Sequence, residues 1–369
     1  MSPTQIIFPT VSSEEMKVLF ARRDFLDVAD GINAFLYAVI EPLLEQGDEI
    51  HLVGPTPVCM EKIQERFPCR RYPVFHHISE SRPPGWWSDT VSWSRSWPRL
   101  VRQISPDKIV LNGVLPWLNQ VSTLAINHDL EPRGGARFAR LVRMVGYRLA
   151  QRRAATCTEL KNALAKNIRI NSNRIDIIPT CLRLTDFCPE PDAPKKPYAL
   201  HIGTMPYKHP EKSMAVLNLV KTPGLKLLIT GPRCAWVDEA LGRLPSKAQS
   251  QVDLLGVVPA SQLRSLMAKA TAVLIPSGYA IPVLSPTVLE SFASGATVIC
   301  TSSISRDLIR PNENCLVAEK PEEVASYLDA LMRSSELNKR LGTQALQDVR
   351  PFDAPQVAKR LREILLRMP

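Results

Sequence analysis

The sequence predicts an α/β protein built of two doubly wound, Rossmann-like parallel-sheet domains facing a central cleft. Three observations carry this. Short apolar runs alternate with longer amphipathic stretches, and the alternation runs through the chain twice. The two series are separated by CPEPDAPKKP (188–197), a proline-dense polar stretch that reads as a linker. The 369 residues exceed one average domain and suit two, and 45% hydrophobic with 22% charged residues can fill two cores. The expected divisions are an amino-terminal domain over 1–193, a carboxyl-terminal domain over 194–352 and a final helix over 353–369.

The elements follow in chain order. MKVLFA (16–21) is a continuous apolar run, as expected of a strand covered on both faces. A loop over 22–31 ends in Asp30-Gly31. Ile32 to Leu44 carries Ile32, Phe35, Leu36, Ala38 and Val39 at helical spacing. Glu49 to Val53 is the next strand, followed by strands over 108–111 and 124–127. PPGWWSDTVSWSRSWP (83–98) is rich in Trp, Ser and Pro and reads as a surface excursion; its tryptophans either meet a ligand or membrane, or pin the loop to the core. Beyond the linker come a strand (198–202), a helix (211–220), a strand (225–230), a helix (237–244), a strand (252–255), a helix (260–268), a strand (272–275), a helix opening at 285–286 and a strand (297–300). FDAPQVAKRLREILLRM (352–368) is an amphipathic helix.

Composition excludes several classes. No run approaches the roughly 20 apolar residues needed to cross a bilayer, and the first residues lack the pattern of a signal peptide, so a cytoplasmic protein is expected. Eight cysteines stand singly, without zinc spacing, and no metal site is expected. The net charge of +10 is concentrated over 133–153, with seven arginines and no acid. Phe138, Leu141, Val142, Val145 and Leu149 recur there at helical spacing, so this stretch reads either as a core helix with a solvated basic face or as a helix lying on the inner face of a membrane. Few aromatics and no binding signature argue against nucleic acid. Neither half carries G-x-G-x-x-G after its first strand, which argues against a dinucleotide oxidoreductase.

IPSGYAIPVLSPTVLESFASG (275–295) is the most informative stretch. Ser285 is placed to cap a helix and Pro286 suits its first position. Free amides at that end, with the helix dipole, can hold an anion, and Thr287 adds a hydroxyl. Glu290 lies a turn further in, and no other acidic residue occurs between it and Asp253. A carboxylate there can accept two hydroxyl hydrogen bonds, as from a ribose. Read alone, it is equally an ordinary solvent-facing glutamate.

The wider order of motifs resembles the retaining glycosyltransferases of the large family four group (glycosyl transferases group 1). The resemblance rests on Val273, Pro276-Ser277, Glu290 and Ala293-Ser294-Gly295, on ALHIGTMPYKHPEKS (199–213), and more loosely on DGINAFLYAVIEPLLEQGDEIHLVG (30–54), AINHDLEP (125–132) and RIDIIPTCLRLTDFCPEP (174–191). It implies the GT-B fold and transfer of a hexose from a UDP- or GDP-sugar to a glycan or lipid-linked acceptor, in polysaccharide or glycoconjugate biosynthesis, with retention and without metal or cofactor. It implies that Gly31 and Gly203 let loops pass close to the donor and that Lys208 holds the diphosphate. Ser285, Thr287 and Glu290 would complete the donor site, with Thr204 where an arginine is frequent. His128 would lie near the donor sugar, as the second catalytic position with Lys208; it reads otherwise as a histidine satisfied by its neighbours. Lys212 is a second diphosphate candidate, or a plain surface lysine. In this fold the last helix commonly returns to the amino-terminal domain.

Three departures stand out. Pro282 occupies the place of a first glutamate, His209 that of an asparagine and Cys315 that of a glycine. Pro282 and Thr204 leave open a catalytically impaired relative that binds nucleotide or sugar as a scaffold; a sugar-nucleotide epimerase would need further acid/base residues in the cleft, which the sequence does not reveal.

Overall fold

The computed structural model describes residues 15–22, 31–54, 60–67, 71–77, 96–112, 121–128, 145–189 and 194–369. The first sheet contains β1 (Lys17–Ala21), β2 (Glu49–Gly54), β3 (Val74–His77), β4 (Lys108–Asn112), β5 (Ser122–Asn127), β6 (Arg152–Ala155) and β7 (Asp176–Ile177). The second contains β8 (Lys196–Ile202), β9 (Lys226–Thr230), β10 (Val252–Gly256), β11 (Ala270–Ile275), β12 (Val298–Cys300) and β13 (Leu316–Val317). Their orders are β3-β2-β1-β4-β5-β6-β7 and β10-β9-β8-β11-β12-β13. Every pairing among these strands is parallel. Strand order therefore reverses between β1 and β4 in one sheet and between β8 and β11 in the other. Such switch points open a crevice beyond the carboxyl ends of the strands, where ligands bind in α/β folds.

The central strands are apolar throughout because helices cover both faces. Val18, Leu19, Phe20 and Ala21 of β1 are fully buried, as are Ala270, Ala272 and Val273 of β11. Helix Gly31–Glu45 buries Phe35, Leu36, Val39, Ile40 and Leu43 against the first sheet. Helix Pro286–Ala293 buries Val288, Leu289 and Phe292 in a core that also holds Cys157, Leu160 and Leu164, so apolar packing runs from one sheet unit to the other.

The carboxyl terminus crosses between the two units. The backbone of Leu182 pairs with that of Asp353, and the Asp353 carboxylate accepts from the amides of Ala354 and Leu184 at 3.0 and 3.1 Å. Helix Ala354–Leu366 then packs Val357, Ala358, Leu361 and Leu365 into the core of the first sheet and helix Gly31–Glu45. Buried Arg362 grips buried Asp48 at 3.0 and 3.1 Å. The Lys108 ammonium donates to the carbonyls of Met368 and Pro369 at 2.8 Å.

Several local expectations change. The basic stretch 133–153 is not one helix to its end. Helix covers 145–149, and Arg152 and Arg153 lie in β6, where Arg152 meets Asp176 at 3.5 Å and Arg153 donates to the Tyr147 carbonyl at 2.5 Å. Val145 and Leu149, read as facing either a core or a membrane, are exposed, while Tyr147 and Ala150 are buried; residues 133–144 lie outside the described residues. The helix read over 211–220 ends at Val216. Trp97 is buried and pins its segment to the first sheet; Trp86, Trp87 and Trp93 fall outside the described residues. Strands β3, β6, β7 and β13 escape a periodicity reading because they are short; β3, β7 and β13 are edge strands and β6 is next to an edge. Among the described residues, no helix is long and apolar enough to cross a membrane.

Candidate active site

The site forms where β8 and β11 end. After β8 the chain turns at Gly203, whose φ of +94° is a conformation that side-chain-bearing residues rarely adopt. Buried His201 fixes this turn from beneath. Its Nε2 stands 3.0 Å from the Gly203 carbonyl and its Nδ1 2.9 Å from the Ser213 hydroxyl. A carbonyl can only accept, so Nε2 carries the proton and Nδ1 accepts from Ser213. Burial pushes the imidazole down to about 3, so it is neutral at physiological pH.

The turn Pro206–Lys208 brings Lys208 back across Gly203, with the lysine stem close to where a Cβ on Gly203 would stand. The ammonium donates to the Thr287 hydroxyl at 2.9 Å. Lys208 and the start of helix Pro286–Ala293 therefore meet at one place. Among the described residues, the amide of Thr287 is not used by the backbone network around the helix start. Ser285 is the residue preceding the helix, but its side chain does not cap it. Its hydroxyl is buried without a partner among the described residues, as is that of Ser277 at the start of the same loop. The capping expectation for Ser285 is thus corrected: in its place the Ser285 carbonyl takes the amides of Val288 and Leu289, both at 3.1 Å.

Glu290 follows Thr287 by almost one turn and is partly buried. Burial pushes its carboxyl above the usual carboxylate range, opposed by the positive charges of Lys208 and Arg264. Its carboxylate takes no hydrogen bond or ion pair among the described residues, which leaves both oxygens able to accept hydroxyl groups. Arg264 is held in turn by the carbonyl of Asp186 at 2.7 Å and by the face of Phe187 at 4.7 Å.

Thr204 points elsewhere. Its hydroxyl donates to the Pro232 carbonyl at 2.7 Å and packs under Gly231, whose φ is +132°. It ties two loops together, and only its backbone is left to face a ligand. Lys212 is exposed and lines a small hollow of about 30 Å³ with Cys300, Thr301 and Glu319.

The first sheet contributes from across the crevice. A Cβ built on Gly31, the first residue of helix Gly31–Glu45, would stand 2.7 Å from Cγ of Pro286. Two helix starts therefore abut, one from each unit. His128 follows β5; its Nε2 lies 3.0 Å from Oδ1 of Asn112 at the end of β4, and its ring meets Phe35 edge-on at 5.2 Å. Because Oδ1 can only accept, Nε2 carries the proton. Asn112 is buried, and among the described residues its Nδ2 meets no acceptor.

Sequence reasoning missed His201, Arg264 and Asn112. His201 carried a local signal, a polar residue in a buried strand two positions before a glycine. Arg264 and Asn112 act through contacts with distant residues and left none. Among the described residues no group of three or more His, Cys, Asp or Glu side chains is placed to hold a metal ion.

Comparison with solved structures decides the architecture. Anabaena Alr3699/HepE, solved in complex with UDP, superposes with a TM-score of 0.74 at 12% identity, covering 95% of this chain and 100% of that chain. Sucrose-phosphate synthase from Thermosynechococcus elongatus gives a TM-score of 0.77 at 13% identity over 95% and 98%. The chain has the GT-B fold. A glycosyltransferase from Rickettsia africae gives 0.73 at 16% identity over 95% and 98%. Residues 196–334 match the family model described as "Glycosyl transferases group 1". That GT-B domain holds Gly203, Thr204, Lys208, Ser285, Thr287 and Glu290; Gly31 and His128 lie outside the matched span. No curated protein matches the chain.

Proposed function

We propose that the protein is a glycosyltransferase that moves a hexose from a nucleoside-diphosphate sugar, with UDP or GDP as carrier, to a hydroxyl of a glycan or lipid-linked acceptor. The observation that carries this is the 2.9 Å contact between the Lys208 ammonium and Thr287 at the start of helix Pro286–Ala293, with Glu290 one turn on. The cation and the helix start bind the diphosphate, and the Glu290 carboxylate accepts from the ribose hydroxyls. The match of residues 196–334 to the group 1 family supports the same reading, as do solved neighbours with UDP bound.

Charge grows on the leaving diphosphate as the bond from the anomeric carbon to the phosphate oxygen breaks. Lys208 and the helix amides are aimed at that charge and stabilise it without a metal ion. The acceptor hydroxyl attacks from the face the diphosphate leaves. Its proton passes to the departing phosphate oxygen, and the configuration is retained. His128, with its ring fixed by Asn112 and Phe35, sits beneath helix Gly31–Glu45 on the opposite wall and holds a sugar hydroxyl. Gly31 allows the two walls to meet. The acceptor side is assigned to the amino-terminal domain, 1–193, the donor side to 194–352, and the closing helix to 353–369. Exposed Val145 and Leu149 beside Arg148 support docking of this domain on the cytoplasmic face of an anionic membrane, where a lipid-linked acceptor is presented.

A hydrolysis and transfer assay over UDP- and GDP-sugars tests the reading: one donor is consumed, and Lys208→Met removes that consumption. Consumption of none speaks against catalysis. A second reading, a binding protein without turnover, draws on Pro282, which brings no carboxylate to the site and whose carbonyl is occupied by the Cys157 thiol at 3.4 Å. It predicts nucleotide binding with no donor consumed.

A further inference from the structure

The loop that leads into helix Pro286–Ala293, residues 276–285, is held by contacts from outside itself. Its Ser277 carbonyl accepts from the hydroxyls of Thr301 and Ser303 at 2.6 and 2.5 Å. The Val283 amide donates to the Ser303 carbonyl at 3.1 Å, and the Ser305 amide donates back to the Val283 carbonyl at 3.0 Å. The segment after β12, 301–307, is therefore the template on which the loop is laid.

That segment is itself gripped by the other sheet unit. Helix Thr158–Ile168 opens after Cys157, whose side chain does not cap it. The cap comes from across the interface: the Thr158 amide donates to the Asp307 carboxylate at 2.6 Å. In return, the Glu159 carboxylate accepts from the Ser305 hydroxyl at 2.6 Å and from the Arg306 amide at 2.8 Å. Two carboxylates at a helix start also lie in the favourable field of its dipole. Ile304, between these contacts, is fully buried in the shared core. Cys157 touches the loop directly through its thiol and the Pro282 carbonyl. Burial raises that thiol to about 11, which keeps it protonated and able to donate.

We propose that Glu159 and Asp307 are positioning residues. From the first turn of helix Thr158–Ile168 and the facing segment, they form a bracket that sets loop 276–285 and, through it, the Ser285–Thr287 end that receives the diphosphate. The inference rests on the nucleotide reading above for its functional consequence, but not for its structural one. The bracket makes the site a property of both units, although neither residue touches the ligand.

Amide hydrogen exchange followed by mass spectrometry, with UDP and GDP titrations, tests it on the full chain. In Glu159→Ala and Asp307→Ala, exchange across 276–285 accelerates about tenfold, and nucleoside-diphosphate affinity falls by about the same factor. In Glu159→Gln affinity stays near wild type, because the amide accepts from Arg306 and donates to the Ser305 hydroxyl. A merely structural helix cap would loosen 158–168 alone. Faster exchange confined to that helix, with the loop and the affinity unchanged, overturns the proposal. Should the alanine variants fail to fold, Ser305→Ala removes a single hydroxyl from the bracket and must still loosen the loop selectively; unchanged exchange there overturns it equally. If the wild-type protein binds neither nucleotide, the nucleotide reading fails, and exchange in the loop still decides the bracket.

Discussion

Replacing Gly31 by alanine sets two physical effects against each other with opposite signs. Gly31 has no positive φ to protect, so backbone strain plays no part. On propensity alone, alanine at this helical position stabilises by up to about 1 kcal/mol. The added Cβ, however, would stand 2.7 Å from Cγ of Pro286. Ordinary carbon contacts lie at about 3.5–4.0 Å, so the two helix starts must part by about 1 Å. Neither side yields cheaply, because a proline ring has little freedom and helix Gly31–Glu45 is packed along its length by the carboxyl-terminal helix. Overpacking of this kind costs about 1–3 kcal/mol. Gly31→Ala is therefore expected to be destabilised in urea unfolding and to bind nucleoside diphosphate more weakly, since the helix displaced is the one that carries Thr287 and Glu290. Pro286→Ala removes the offending Cγ and should rescue much of the loss in the double variant. A Gly31→Ala protein as stable as wild type, with unchanged affinity, would refute the claim that the two walls meet at this point.

Three further outcomes are expected. His201 is held neutral, with a folded pKa near 3 against 6.5 for an ordinary histidine. The unfolded chain therefore takes up the proton first, and stability is lost as pH falls below 6.5, by about 2 kcal/mol between pH 6.5 and 5; urea midpoints across that range should flatten in His201→Gln. Arg362→Ala strands buried Asp48 and should cost about 3–5 kcal/mol by the same measurement, whereas an effect under 1 kcal/mol would show that the carboxyl-terminal helix docks by apolar contact alone. Glu290 takes up its proton at a less acidic pH than an ordinary glutamate, so nucleotide affinity should weaken on mild acidification; Glu290→Gln should bind more weakly and lose that pH dependence.

The two-sheet architecture was legible because buried parallel strands write continuous apolar runs, as in MKVLFA and AVLI. The basic stretch misled because its acid-free run of arginines continues past Leu149, where the helix ends, and Arg152 and Arg153 already belong to β6. In the site, helix-start chemistry is local, so the start at Pro286 could be read from the sequence, whereas Gly203 came from the family resemblance. Side-chain commitments are not local. Nothing near Thr204 shows that Pro232 takes its hydroxyl, and nothing near Ser285 shows that its own side chain leaves the helix uncapped. The contact between Lys208 and Thr287 joins residues 79 positions apart, and resemblance rather than pattern suggested it.

The most direct test of the central claim is calorimetric titration of the wild-type protein and Lys208→Met with UDP and with GDP. One nucleotide should bind saturably at a single site, and the variant should bind it about 10- to 100-fold more weakly, the loss expected for a charge-assisted contact to phosphate. Equal affinity in the two proteins, or no binding of either nucleotide to the wild type, would contradict the account.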